Sequence, residues 1–146
     1  MRNQWRLTIG LVLLAALVMI GLFASRQLSH REPSVDLARS KPTANGLFVA
    51  TIRPDGPEPT VGPIGTWILA VTKPDGTPVS GATITVGGGM PQHNHGFPTQ
   101  PQVSTAPDPG QYRIEGVKFS MPGLWEMRLI IEAGTERDEA FFNIRL

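Results

Sequence analysis

An all-β sandwich behind a single apolar N-terminal helix is the fold predicted for this 146-residue chain, and three observations carry the prediction. Beyond residue 46, apolar and polar residues alternate in short runs, the period of a half-buried strand. Clusters rich in proline and glycine separate those runs where turns are needed. A long stretch without charge stands apart at the N-terminus.

That stretch, residues 7–24, contains 18 residues, with Thr8 its only clearly polar member. As a helix it measures about 27 Å, close to the hydrocarbon thickness of a bilayer. Arg2 and Arg6 precede it and place the N-terminus on the cytoplasmic side. A cleaved signal peptide is the competing reading, but it wants small residues at −3 and −1 of the cut. Cleavage after Ala24 or Ser25 puts Leu22 or Phe23 at −3. Residues 1–25 are therefore read as an uncleaved transmembrane anchor, with Met19 in the bilayer. Either reading exports the remainder to the extracytoplasmic, periplasmic side. Residues 26–45 are polar with scattered charge and read as a tether that holds a solvated His30. Residues 46–146 are read as the domain.

The strands follow in order. Residues 47–52 form the first, closed by Pro54-Asp55-Gly56. Residues 66–72 form the second, with Trp67, Leu69 and Val71 on one face. Lys73-Pro74-Asp75-Gly76 fits a turn with proline at its second position, where φ is preset. Residues 82–86 then alternate, with Ala82, Ile84 and Val86 inward. Residues 103–105 make a short strand, Pro107-Asp108-Pro109-Gly110 a turn, and 111–119 a strand bulged at Gly116. In the last two, Trp125, Met127, Leu129 and Ile131 match Ala140, Phe142, Ile144 and Leu146 across a turn at Gly134. About seven short strands favour an immunoglobulin-like sandwich.

Charge and cysteine content exclude several functions. Residues 1–32 carry a net +3 and residues 33–146 a net −2, so the basic excess belongs to the membrane flanks. A mildly acidic domain does not neutralise phosphates, which excludes nucleic acid as a partner. The chain has no cysteine. That removes disulfides, thiolate zinc sites, thiol redox chemistry and blue-copper ligation. Any metal must be held by histidine, methionine, carboxylate or backbone.

One stretch points to chemistry. Gly87-Gly88-Gly89-Met90-Pro91-Gln92-His93-Asn94-His95-Gly96-Phe97-Pro98 reads as a loop of freely shaped backbone stiffened by two prolines. In an extended segment His93 and His95 point to the same side, and both imidazoles can converge on one ion. Met90 reaches the same centre if the Met90-Pro91 turn folds back. Met121, in a turn at the start of a strand, is a further candidate ligand, whereas Met127 shares its face with Trp125 and Leu129 and belongs to the core. No carboxylate lies within ten residues of His93, and thioether donors select cuprous copper. A solvated loop tip with incidental histidines is the other reading of the same residues.

No catalytic arrangement accompanies the loop. No carboxylate sits beside either histidine for a Ser-His-Asp triad. The three glycines are not followed by Lys-Ser/Thr, as a phosphate loop requires. The chain is read as a binding protein and not an enzyme.

Taken together, Met90-Pro91-Gln92-His93-Asn94-His95-Gly96, then Gly110-Gln111-Tyr112, then Met121-Pro122-Gly123-Leu124-Trp125 resemble the YtkA-like domain family, related to FixH-type exported proteins. The motifs occur in the family's order over residues 46–146. Unlike FixH-type proteins, the chain shows one span. The resemblance implies an immunoglobulin-like domain behind an N-terminal span and a link to copper handling and respiratory-oxidase maturation. By position, Met90, His93, His95 and Met121 are the residues it implicates. The expectation is a single-pass protein of the cytoplasmic membrane that binds copper and passes it to a receiving envelope protein. A metal-free interaction or accessory module is the alternative, and a binder of small organic ligands a third reading.

Overall fold

Strand alternation organises the described part of the chain, residues 35–146 of a computed structural model. Nine strands form in order: β1 (Ser40–Pro42), β2 (Val49–Pro54), β3 (Ile64–Thr72), β4 (Thr83–Met90), β5 (His95–Gly96), β6 (Gln102–Thr105), β7 (Gln111–Lys118), β8 (Leu124–Ala133) and β9 (Glu136–Arg145). They make two antiparallel sheets, ordered β1-β2-β3-β7-β6 and β5-β4-β8-β9. Their inner faces enclose one core. Among the described residues no helix is long and apolar enough to cross a membrane. The predicted anchor, Met19 and His30 lie outside the described residues.

The core follows the predicted parity. Trp125, Met127, Leu129 and Ile131 are buried on β8, and Trp125, Met127 and Leu129 face Ile144, Phe142 and Ala140 of β9 across the pair. Met127 is therefore a packing residue, as its position among these apolar neighbours predicts. Trp67, Leu69 and Val71 supply the opposing sheet, with Tyr112 and Ile114 of β7. The Tyr112 hydroxyl donates to the Val79 carbonyl at 2.7 Å and accepts from the Ala82 N–H at 2.9 Å. The predicted turn forms, with the Gly76 N–H on the Lys73 carbonyl at 2.9 Å.

The bulge at Gly116 positions the site. Gly65 pairs with Val117 and Thr66 with Glu115, so Gly116 is the extra residue, held at φ +88°. Inward parity is thereby switched. Tyr112 and Ile114 face the core before the bulge, and Val117 and Phe119 face it afterwards. Phe119 is thus carried inward at the end of the sandwich where β2, β4 and β7 finish and β3 and β8 begin.

Three expectations are corrected. The strands number nine, not about seven, because β1 and β5 are too short to show alternation. β1 lies inside the stretch read as tether and pairs with β2 from Ser40↔Thr51 to Pro42↔Val49. Residues that follow it are folded as well: Thr43 and Asp138 are each 3% exposed, and the Asp138 carboxylate accepts from Thr43, Asn45, Leu47 and Glu139. Finally, Gly87-Gly88-Gly89 is strand, not loop. A Cβ on Gly88 would meet the Glu126 carbonyl oxygen of β8 at 2.1 Å, and one on Gly89 the His95 carbonyl oxygen of β5 at 2.1 Å. Bare backbone lets β4 lie this close to both neighbours.

Candidate functional site

β4 ends at Met90, and Pro91 opens one 3-10 turn, Pro91–His93, where its fixed φ suits the first position. Asn94 closes the turn in the left-handed region, at φ 52° and ψ 41°, with its N–H directed to the Pro91 carbonyl at 3.3 Å. Asparagine tolerates that conformation better than other residues with a Cβ, glycine alone being freer. The chain then returns as β5, pairing Met90↔His95 and Gly89↔Gly96, and the Phe97 N–H continues the ladder to the Gly88 carbonyl at 3.0 Å.

This hairpin changes how the histidines meet. They do not share one side of an extended segment, because the 3-10 turn and the left-handed Asn94 intervene. Their rings nevertheless lie 6.1 Å apart between centroids, inclined by 32°. An imidazole bound through nitrogen at about 2.0 Å puts the ion about 3.2 Å from its ring centroid, so two rings on one ion stand at most about 6.4 Å apart. The observed separation lies within that limit.

Met90 and His95 are cross-strand partners, and such pairs project from the same face of their sheet. That face is the interior. Met90 is 1% exposed, and its methyl group lies 2.7 Å from where a Cβ on Gly123 would be. A side chain at Gly123, which has φ +131°, would displace it. The Met121-Pro122-Gly123 turn is therefore seated on Met90. The Trp125 indole N–H donates to the Met121 carbonyl at 3.1 Å and fixes the turn from beneath. Met121 itself is 36% exposed, and His93 is exposed.

His95 completes the arrangement. Its ring meets Trp125 edge to face at 5.5 Å. Its Nδ1 lies 3.0 Å from the Gly96 carbonyl oxygen. A carbonyl only accepts, so Nδ1 carries a proton, and in the neutral ring Nε2 presents its lone pair. Nε2 is buried and has no hydrogen-bond partner among the described residues. Leaving a buried polar atom unmatched costs about 1–3 kcal/mol. A metal ion would match it, and the Gly96 carbonyl would hold the ring in the ligating tautomer.

An aromatic cluster supports the site, and sequence reasoning missed most of it. Phe97 stacks on Trp125 at 5.8 Å with ring planes 3° apart, and Phe119 meets both edge-on at 5.9 and 5.3 Å. Trp67 closes the far side at 6.5 Å from Phe119. The parity of β8 makes Trp125 a core residue, but nothing between Gly96 and Pro101 marks Phe97 as its partner. The absence of a side chain at Gly88 leaves room for the Phe97 ring, 2.8 Å from where that Cβ would sit.

Among the described residues, no group of three or more His, Asp or Glu side chains is placed to hold a metal ion. A centre here depends on thioether donors beside two imidazoles. The fold brings Met90 and His95 together, sets His93 against His95, and joins the backbone of Met121 to the tryptophan that His95 touches.

Residues 42–129, more than half of the chain, match the family model described as YtkA-like. Comparisons with curated proteins and with solved structures gave no match.

Proposed function

The chain belongs to the YtkA-like family, and from that premise we propose that it is an exported, membrane-anchored copper-binding protein. Copper is held by His93 and His95 with Met90 and Met121 as thioether donors. The observation that carries this reading is the buried, unpartnered Nε2 of His95, aimed away from a proton-bearing Nδ1 and beside a buried thioether strand partner. Thioether with imidazole is a soft donor set suited to cuprous ion. With no activating base and no cysteine, the site holds a metal and passes it on, and does not turn over a substrate. The apolar run at residues 7–24 behind Arg2 and Arg6 supports an anchor with the domain on the extracytoplasmic side. The two-sheet architecture supports an immunoglobulin-like topology.

Titration of the full chain in non-ionic detergent with Cu(I) tests the reading. Wild type should bind one equivalent with a Kd tighter than about 1 μM, and His93→Ala/His95→Ala should weaken it by about 100-fold or more. Equal binding by both chains, or none by wild type, overturns it. A second reading, a metal-free interaction module, draws on Ile64, Val61 and Met121, which are 64%, 41% and 36% exposed; Gly62 hydrogen-bonds to Phe119 and so brings their loops together.

A further inference from the structure

Burial divides the four candidate ligands into two pairs. Met90 is 1% exposed and the Nε2 of His95 is covered. Met121 is 36% exposed, and His93 stands exposed at the end of its turn. The inner pair is also fixed. Met90 is seated against Gly123, and His95 is held by the Gly96 carbonyl and its edge contact with Trp125. In the outer pair, Met121 is held through its backbone, by Trp125, while its flexible side chain remains accessible.

A tightly held metal ion moves between molecules by ligand substitution, in which the incoming donor attaches before the last outgoing one departs. A donor from another molecule cannot reach a buried thioether or a covered imidazole nitrogen. It can reach an ion that has shifted onto surface ligands. We propose that His93 and Met121 are the handover ligands of the centre, and that Met90 and His95 are its holding ligands. The proposal rests on the copper reading above and deepens it. The inner pair sets affinity, and the outer pair sets the rate at which the ion enters and leaves. The receiving partner is then a protein that offers a soft donor to this end of the sandwich.

The test loads the full chain in detergent with Cu(I) and mixes it with an excess of a chromophoric Cu(I) chelator. His93→Ala/Met121→Leu should slow transfer by about tenfold or more while equilibrium affinity changes by less than about tenfold. Met90→Leu/His95→Gln should weaken affinity by about 100-fold and hasten release. Because the inner pair also packs the core, a measurement on the unloaded wild type accompanies these. Peroxide should oxidise Met121 well before Met90 or Met127, and diethylpyrocarbonate should modify His93 before His95. An outer-pair variant that loses affinity as severely as the inner, transfer rates indifferent to the outer pair, or equal reactivity of Met90 and Met121 overturns the proposal alone. Failure of wild type to take up Cu(I) overturns the copper reading and this division with it.

Discussion

Replacing Trp125 with alanine should destabilise the domain by about 3–5 kcal/mol, read as a lowered denaturant midpoint with an unchanged slope. Trp125 is fully buried, stacks on Phe97, and meets Phe119 and His95 edge to face. Truncation removes the indole's own burial and leaves the rings of Phe97, Phe119 and His95 facing the space it vacates. It also deletes the donor to the Met121 carbonyl, so the turn seated on Met90 keeps only its backbone hydrogen bonds between Gly123 and Leu146. Trp125→Phe separates the two effects. It keeps most of the apolar volume and should cost about 1–2 kcal/mol for the lost hydrogen bond and the smaller ring. A loss below about 1 kcal/mol for the alanine variant would show that the cluster does not bear on stability as its burial requires.

Asp138→Ala should cost about 3 kcal/mol or more and should change how the domain responds to acid. The carboxylate is buried and accepts from the Thr43 hydroxyl at 2.6 Å, the Asn45 side chain at 2.9 Å, and the backbone N–H groups of Asn45, Leu47 and Glu139. Burial alone would raise its pKa. The hydrogen bonds from Thr43, Glu139, Asn45 and Leu47 outweigh burial and lower it from 3.8 to about 2. A group with a depressed folded-state pKa contributes stability that is fully present above its unfolded value. That contribution declines as pH falls from about 4 through about 2. Wild type should therefore lose stability across this window, and Asp138→Ala, already weakened at neutral pH, should lose less. Parallel pH profiles for the two chains would contradict this account.

Where side-chain alternation is strong, the fold is legible in the chain itself. β8 carries apolar residues at every second position from Trp125, β9 does so from Ala140, and Gly116 marks its bulge by interrupting such a pattern. β1 and β5 are invisible in the same terms, since two or three residues are too few to repeat an alternation. The strand run of Gly87-Gly88-Gly89 hides for another reason. Glycine has no side chain to alternate, so a stretch kept bare for two close backbones reads as a flexible loop. The ligand types of the candidate site are legible because Met-Pro-x-His-x-His and Met-Pro-Gly are unusual clusters of soft donors. Their arrangement is not. The pairing of Met90 with His95, the burial that separates them from His93 and Met121, and the stacking of Phe97 arise from contacts across sheets. Asp138 is similarly silent in sequence, because Thr43, Asn45 and Leu47 lie more than ninety residues earlier.

The contact between Trp125 and His95 has an optical consequence. On the copper reading proposed above, an indole in edge contact with the His95 imidazole is an intrinsic emitter beside the ion, where copper would quench it. Trp67 lies farther off, with Phe119 between it and Trp125. Emission should therefore fall on titration with Cu(I), and most of that fall should vanish in Trp125→Phe. On that reading the site carries its own gauge of occupancy, readable without a label.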